Sequence, residues 1–494
     1  MVTYQSIILF LLGARLATGQ AVTVAATQST GWNSSFELSA DQVKQANLTG
    51  DLEGIVNTIT KFDRSQLANG GAHEDDFYNI QGLPKDQWPT KPGQTLKLQD
   101  FTDPSPFSIP AKTAISRIIY STTNLNGTLI PASAYILWPF NPRPIRALTN
   151  TTTASSAPVV LWTHGTSGWY ANGAPSTHRG LFYGDFVPFA LAEAGYAVIA
   201  PDYAGLGVDA SWDGSYIPHQ YNIREAGAHD ALNALRAAQE SFPTLLSRDY
   251  VSLGHSQGGA VAWGLSEILA RNDSQFADVT PGYLGGVVVA PPTASLSVTI
   301  PGFIAWIAKE LDSVFPTFNV SDWFTPLGVS RINLLNQIEG SQMVTFAMLG
   351  AGSEAEFLRP GWNKTWYADG FSKLANPGRL PFKGPLFIVQ GTEDSSVMYT
   401  TTRTTVQETC NLYHGDLELL AVSEGGHFSA INAAKHTWLQ WIEDRFEHRP
   451  LAKRGCVESR LDSLLPAGNY QVQANSFTMW AGEERFAYEV STSL

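Results

Sequence analysis

Runs of apolar residues, each four to six long, recur through the middle of the chain: Val159 to Trp162, Ala197 to Ala200, Tyr250 to Leu253, Gly286 to Val289, Leu386 to Val389 and Leu417 to Val422. Runs of that length without polar alternation read as strands buried on both faces. Helical sequence separates them, including an alanine-rich stretch from Arg224 to Glu240, Ala260 to Ala270, and Ala430 to Phe446. Strands alternating with helices imply an α/β class, a mostly parallel sheet with helices on both faces.

The rhythm fails in three places. From Gln20 to about Ala111 a helical patch (Ala40 to Asp63) precedes proline-spaced, extended sequence from Leu83 to Pro110. Two strands, Ile115 to Tyr120 and Ala132 to Trp138, follow as a hairpin around Asn126-Gly127, and Thr149 to Ser156 is polar enough to be an exposed loop. Between Ala290 and Leu386 lie about 95 residues, far more than one crossover needs. That interval reads as an inserted, largely helical cap. Phe303, Ile307, Leu311 and Val314 recur there at helical spacing, and Ile304 and Trp306 sit on or beside the same face. The end of the chain shows only a candidate strand pair near Tyr470 and Phe486. The expected organisation is therefore 1–19 leader, 20–111 extension, 112–292 and 377–450 core, 293–376 cap and 451–494 tail.

Composition adds a compartment. Ile7 to Leu12 is apolar, and Ala17 and Gly19 are small residues suited to cleavage before Gln20, the pattern of a secretory signal. No Lys or Arg precedes the apolar run, so a signal anchor is the competing reading. N-x-S/T sequons stand at Asn33, Asn47, Asn126, Asn150, Asn272, Asn319 and Asn363, which favours a eukaryotic secretory route. Cys410 and Cys456 permit one disulfide, closing a loop of about 45 residues, with two unpaired thiols as the alternative. The net charge of −13 argues against nucleic acid and against anionic membranes. No obligate protein partner is evident.

The chemistry begins at Val251-Ser-Leu-Gly-His-Ser-Gln-Gly-Gly259, which carries G-x-S-x-G between a strand and a helix. A serine in that turn is strained and exposed above the sheet, and glycines at minus two and plus two relieve the crowding. The hydroxyl needs a base and a group to orient that base, in the chain order Ser, acid, His. Asp394 follows the Leu386 strand, with Glu393 as its rival. His427 follows the Leu417 strand in a glycine-flanked loop. Ser256, Asp394 and His427 thus form a candidate triad at strand carboxyl ends. The Gln257 N–H and the Thr166 N–H, in the turn after Val159 to Trp162, are the candidate oxyanion donors, with Gly165 or Ser167 as alternatives to Thr166. His255 and His164 read as packing and loop-bracing residues. Histidine and cysteine spacings give no metal motif and glycine spacings give no nucleotide motif, so the mechanism calls for no cofactor.

With these residues placed, the chain resembles the fungal secretory lipases, α/β-hydrolases related to Candida lipase A. The resemblance rests on Asp76-Phe-Tyr78, Lys91 to Leu96, Ile118 to Asn124 with Asn126-Gly127, Pro201 to Gly207, His255 to Gly259, Gly391 to Asp394 and Gly426-His427. It implies the α/β-hydrolase fold, ester hydrolysis of acyl lipids, and a cap that forms the acyl site. Substrates would be small-molecule or lipid esters, met in solution or at a lipid–water interface. The same triad also serves an esterase or acyltransferase acting on a secondary-metabolite or plant-wall ester, and a secreted serine peptidase. A catalytically silent binding protein on this scaffold is the reading from a different class.

Overall fold

The structure, a computed structural model, describes residues 35–145, 156–272, 275–309, 311–350, 352–466 and 469–470. The leader at 1–19, Asn33, Asn150 and Phe486 lie outside them.

Ten strands form one sheet: β1 (Thr95–Gln99), β2 (Thr113–Thr123), β3 (Leu129–Pro139), β4 (Ala157–Thr163), β5 (Ala197–Pro201), β6 (Leu246–His255), β7 (Tyr283–Val289), β8 (Leu386–Gly391), β9 (Leu417–Val422) and β10 (Cys456–Leu461). Their order is β1-β2-β3-β5-β4-β6-β7-β8-β9-β10. The β2–β3 hairpin and the β3–β5 pair are antiparallel, and every pair from β5 to β10 is parallel. All residues of β4, β5 and β8 are buried, which is why these strands read as unbroken apolar runs.

Helices Arg224–Ser241 and Gln257–Leu269 pack on one face of the sheet. Pro188–Glu193 and Lys435–Phe446 cover the other. The last helical stretch is divided at Ala434 into Ser429–Ala433 and Lys435–Phe446, where the sequence read one helix.

Between β7 and β8 the insertion folds as short helices, among them Pro301–Ala308, Pro326–Ile338 and Trp366–Ala375. The helical spacing through Val314 does not persist. The first cap helix stops at Ala308, and Leu311–Ser313 is a separate 3-10 turn. Helix Leu52–Ser65 buries Val56 and Ile59 in the same apolar cluster as Ile304, Ile332 and Phe371 of the cap. The helical patch at 40–63 is itself two helices, Ala40–Gln45 and Leu52–Ser65, broken around Asn47, which has φ of 47°. The extension also contributes β1, and the tail contributes β10.

That last strand pairs with β9 over Cys456–Leu461, and a disulfide joins Cys456 to Cys410 at the end of helix Tyr399–Leu412, with Cα atoms 6.0 Å apart. Tyr470 is not in a strand. Asn47, Asn126, Asn272, Asn319 and Asn363 are all exposed. Among the described residues no helix is long and apolar enough to cross a membrane.

Candidate active site

The chain runs from β4 to β5 on one side and then to β6 on the other, so the loops leaving β4 and β6 diverge from adjacent strand ends. Such a reversal opens a crevice at the carboxyl edge of a parallel sheet. Both the Gly165–Ser167 loop and the serine turn enter this crevice. Register pairs Thr163 of β4 with Gly254 of β6, which brings the two loops side by side.

Ser256 sits at φ 56° and ψ −122°, between β6 and the helix that begins at Gln257. An L-residue in such a conformation costs on the order of 1–3 kcal/mol and persists only where its surroundings enforce it. Here the Ser256 N–H donates to Val289 O at 2.9 Å, and Thr163 Oγ1 donates to Gly258 O at 2.8 Å. The glycines are required by contact. A Cβ on Gly254 would lie 2.0 Å from Gly258 O, and one on Gly258 would lie 1.9 Å from Thr163 O.

Asp394 Oδ2 is 2.8 Å from His427 Nδ1. The carboxylate also accepts from the N–H groups of Ser396 (2.9 Å) and Val397 (2.8 Å) and from Gln390 Nε2 (2.9 Å). Burial alone would raise its pKa. The neighbouring His427, its hydrogen bond and the two N–H donors outweigh burial and hold the carboxyl below its ordinary value. Glu393, the rival, is exposed, and its backbone N–H is bonded to Gly425 O at 2.9 Å. With Nδ1 facing Asp394, the imidazole is left to act through Nε2. Among the described residues Ser256 Oγ makes no hydrogen bond to His427.

His255 and His164 take the places expected of them. His255 is buried with Nε2 3.0 Å from His427 O, so it supports the His427 loop through its backbone. His164 lies under the loop with Nε2 3.2 Å from Asp202 O. Burial lowers their pKa values to about 3 and about 4 respectively.

Thr166 and Gln257 both border the cavity beside Ser256. Among the described residues neither backbone N–H has a hydrogen-bond partner. Gln257 is the first residue of a 13-residue helix, so its N–H also carries the positive end of the helix dipole. Two further residues touch these donors and were not marked by any sequence motif: Tyr221, whose hydroxyl is 2.8 Å from Thr166 Oγ1, and His219, whose Nε2 is 3.2 Å from Gln257 Nε2.

Ser256 and His427 open into a cavity of about 1450 Å³. Its roof is apolar and comes from the cap: Ile300, Phe303, Trp306, Ile307, Met343 and Phe346. Phe303, Trp306 and Phe346 pack edge to face with ring centres 4.8 to 5.0 Å apart. Ile304, expected on the same face, turns into the cap's own core. The rest of the lining mixes polar residues (Glu393, Ser395, Glu424, Asn432 and Asp462) with apolar ones such as Val397, Phe428, Leu461 and Leu464. Among the described residues no group of three His, Cys, Asp or Glu side chains gathers as a metal site.

Residues 159–436, more than half of the chain and spanning β4 to the final helices, match the alpha/beta hydrolase family. The chain belongs to that family. No curated protein matches it. Among solved structures, the closed state of Candida antarctica lipase A aligns with a TM-score of 0.60 at 14% identity, covering 85% of this chain and 95% of that one. The rice cell wall degrading esterase LipA from Xanthomonas oryzae aligns with a TM-score of 0.52 at 17% identity, covering 73% of this chain and 97% of that one. At these identities the likeness is one of fold. This hydrolase extends the matched region at both ends, through β1 to β3 before it and β10 after it.

Proposed function

We propose that the protein is a secreted carboxylic-ester hydrolase of the lipase/esterase type, with Ser256, His427 and Asp394 as its triad. The observation that carries this reading is the convergence of the strained Ser256 and the Asp394-bound His427 on one cavity with an apolar roof. Ser256 Oγ attacks the acyl carbonyl while His427 Nε2 takes its proton. The oxyanion forms against the N–H groups of Thr166 and Gln257, where each donor contributes roughly 2.7–4 kcal/mol of transition-state stabilisation. His427 then protonates the departing alkoxide, and water repeats the sequence on the acyl-enzyme. Asp394 holds the tautomer that leaves Nε2 free to accept. No step calls on a cofactor.

A second reading has support in the polar residues among the cavity lining, Glu393, Ser395, Glu424, Asn432 and Asp462. An ester whose alcohol is small or polyhydroxylated, such as a plant-wall ester, would place its leaving group there. A panel of butyrate, palmitate and feruloyl esters with an aminoacyl amide separates these readings, after fluorophosphonate labelling has tested Ser256. Absence of labelling at Ser256 in folded protein would overturn the hydrolase proposal. A preference for the amide would make the enzyme a peptidase. The disulfide, the exposed sequons and the leader-like amino terminus support secretion, which sequencing the amino terminus of exported protein would test.

A further inference from the structure

The segment joining β5 to the helix Arg224–Ser241 places two side chains, two residues apart, behind the two candidate oxyanion donors. His219 Nδ1 is 3.0 Å from Ala204 O, which can only accept, so Nδ1 carries the proton. Nε2 is then an acceptor, and it faces the Gln257 amide nitrogen at 3.2 Å. The turned-over amide would set an oxygen against that lone pair, so neutral His219 fixes which way the Gln257 side chain points. Burial keeps it neutral, pushing its pKa down to about 3. Tyr221 reaches the other donor residue, with its hydroxyl 2.8 Å from Thr166 Oγ1 and its ring against Trp169 and Trp306.

The backbone is shaped for this. The Tyr221 N–H donates to His219 O at 2.7 Å across a three-residue turn, and Asn222 follows with φ of 58°. The neighbouring side chains anchor elsewhere: Gln220 Oε1 accepts from Leu125 N at 2.8 Å, and Asn222 Nδ2 donates to Ser295 Oγ at 3.0 Å. A strained strip, tied down on both sides, fits a part whose position matters more than its own stability.

We propose that His219 and Tyr221 are positioning residues that hold the two oxyanion donors, His219 through the Gln257 side chain and Tyr221 through Thr166. The proposal rests on the assignment of those donors. An oxyanion site acts through dipoles fixed before reaction, and a donor free to rock loses most of that advantage.

The test is steady-state hydrolysis of a butyrate ester, with fluorophosphonate labelling rates and melting temperatures, for full-length wild type, Tyr221→Phe, His219→Phe and His219→Gln. Tyr221→Phe and His219→Phe should each lower kcat about ten-fold with KM within about two-fold, short of the ~10²–10³-fold loss of a donor itself. The double variant should lose the product of the two factors, because each residue serves a different donor. His219→Gln offers an amide oxygen to Gln257 and should recover most of the loss. If His219→Phe does not fold, Tyr221→Phe and His219→Gln still decide the matter. Unchanged kcat in Tyr221→Phe, or losses confined to KM or to melting temperature, overturns the proposal. Wild type that fails to label at Ser256 sinks the hydrolase reading instead, whereas labelled, active wild type with a kcat-neutral Tyr221→Phe sinks only the positioning role.

Discussion

The carboxyl edge of the sheet and the cap meet at Ser256, and different forces hold them. At the edge, backbone groups set the geometry. Gly254 and Gly258 are pressed against carbonyl oxygens, Ser256 is bonded to the neighbouring strand, and Asp394 receives two backbone N–H groups. In the cap, side chains set it: Phe303, Trp306 and Phe346 interlock, and the cap shares a core with helix Leu52–Ser65. Backbone contacts tolerate almost no displacement, while packed side chains can rearrange by rotamer changes. In the function proposed above, the fixed edge would serve bond breaking and the adaptable roof a choice of acyl chain.

The harshest way to probe the rigid side is to remove its chemistry. Ser256→Ala and His427→Ala should each lower kcat by about 10⁶-fold, and Asp394→Asn by about 10⁴-fold, with the fold retained. Glu393→Gln should change activity by less than about three-fold, because Glu393 is exposed and Asp394 makes the contact with His427. A damaging Glu393→Gln beside a mild Asp394→Asn would move the acid to Glu393. Asp394 should add no limb to the pH–rate profile of wild type near the ordinary carboxylate range, since its pKa is held below that range. Its share of folding stability is present above about pH 3.8 and is lost as pH falls through the lower folded value.

A smaller effect contrasts one glycine from each region. Gly258→Ala drives a Cβ to 1.9 Å from the Thr163 carbonyl oxygen, which cannot move without shifting β4. It should cost about 4 kcal/mol or prevent folding. Gly302→Ala meets the Phe346 ring at 3.1 Å and Gly350 at an ordinary contact distance of 3.8 Å, and should cost about 1 kcal/mol or less. Equal drops in melting temperature would erase the contrast between the two regions.

The smallest effect concerns the roof. Phe303 and Ile307 line the cavity, so Phe303→Ala and Ile307→Ala should weaken palmitate more than butyrate esters. With each buried methylene contributing about 0.8 kcal/mol, loss of one or two contacts should shrink the palmitate-to-butyrate ratio of kcat/KM about ten-fold. An unchanged ratio with a lowered melting temperature would make these residues cap core instead of acyl contacts.

The parts of the fold legible in the sequence were those with one local cause. β4, β5, β8 and β9 announced themselves as apolar runs because burial on both faces leaves no room for alternation. The serine turn was legible because its glycines answer to contacts within a few residues and one adjacent strand. β10 was not, since an edge strand alternates exposed and half-buried residues and carries Glu458 and Arg460, as an edge guarding against pairing does. The break at Ala434 and the stop at Ala308 escaped notice because helix ends depend on what the next residues pack against.

What the sequence alone determined is therefore the class of sheet, the order Ser256, Asp394, His427, and the strand ends that bear them, because chain order and strand period are one-dimensional facts. The tertiary structure decided the rest. Only it could set His219 and Tyr221 against Gln257 and Thr166, leave Ile304 out of the cavity that Phe303 and Ile307 line, and bring the segment after β10 to that cavity. The two contacts behind the donors join residues 38 and 55 positions apart, with no local pattern to record them, and packing settles them only once the whole chain is in place.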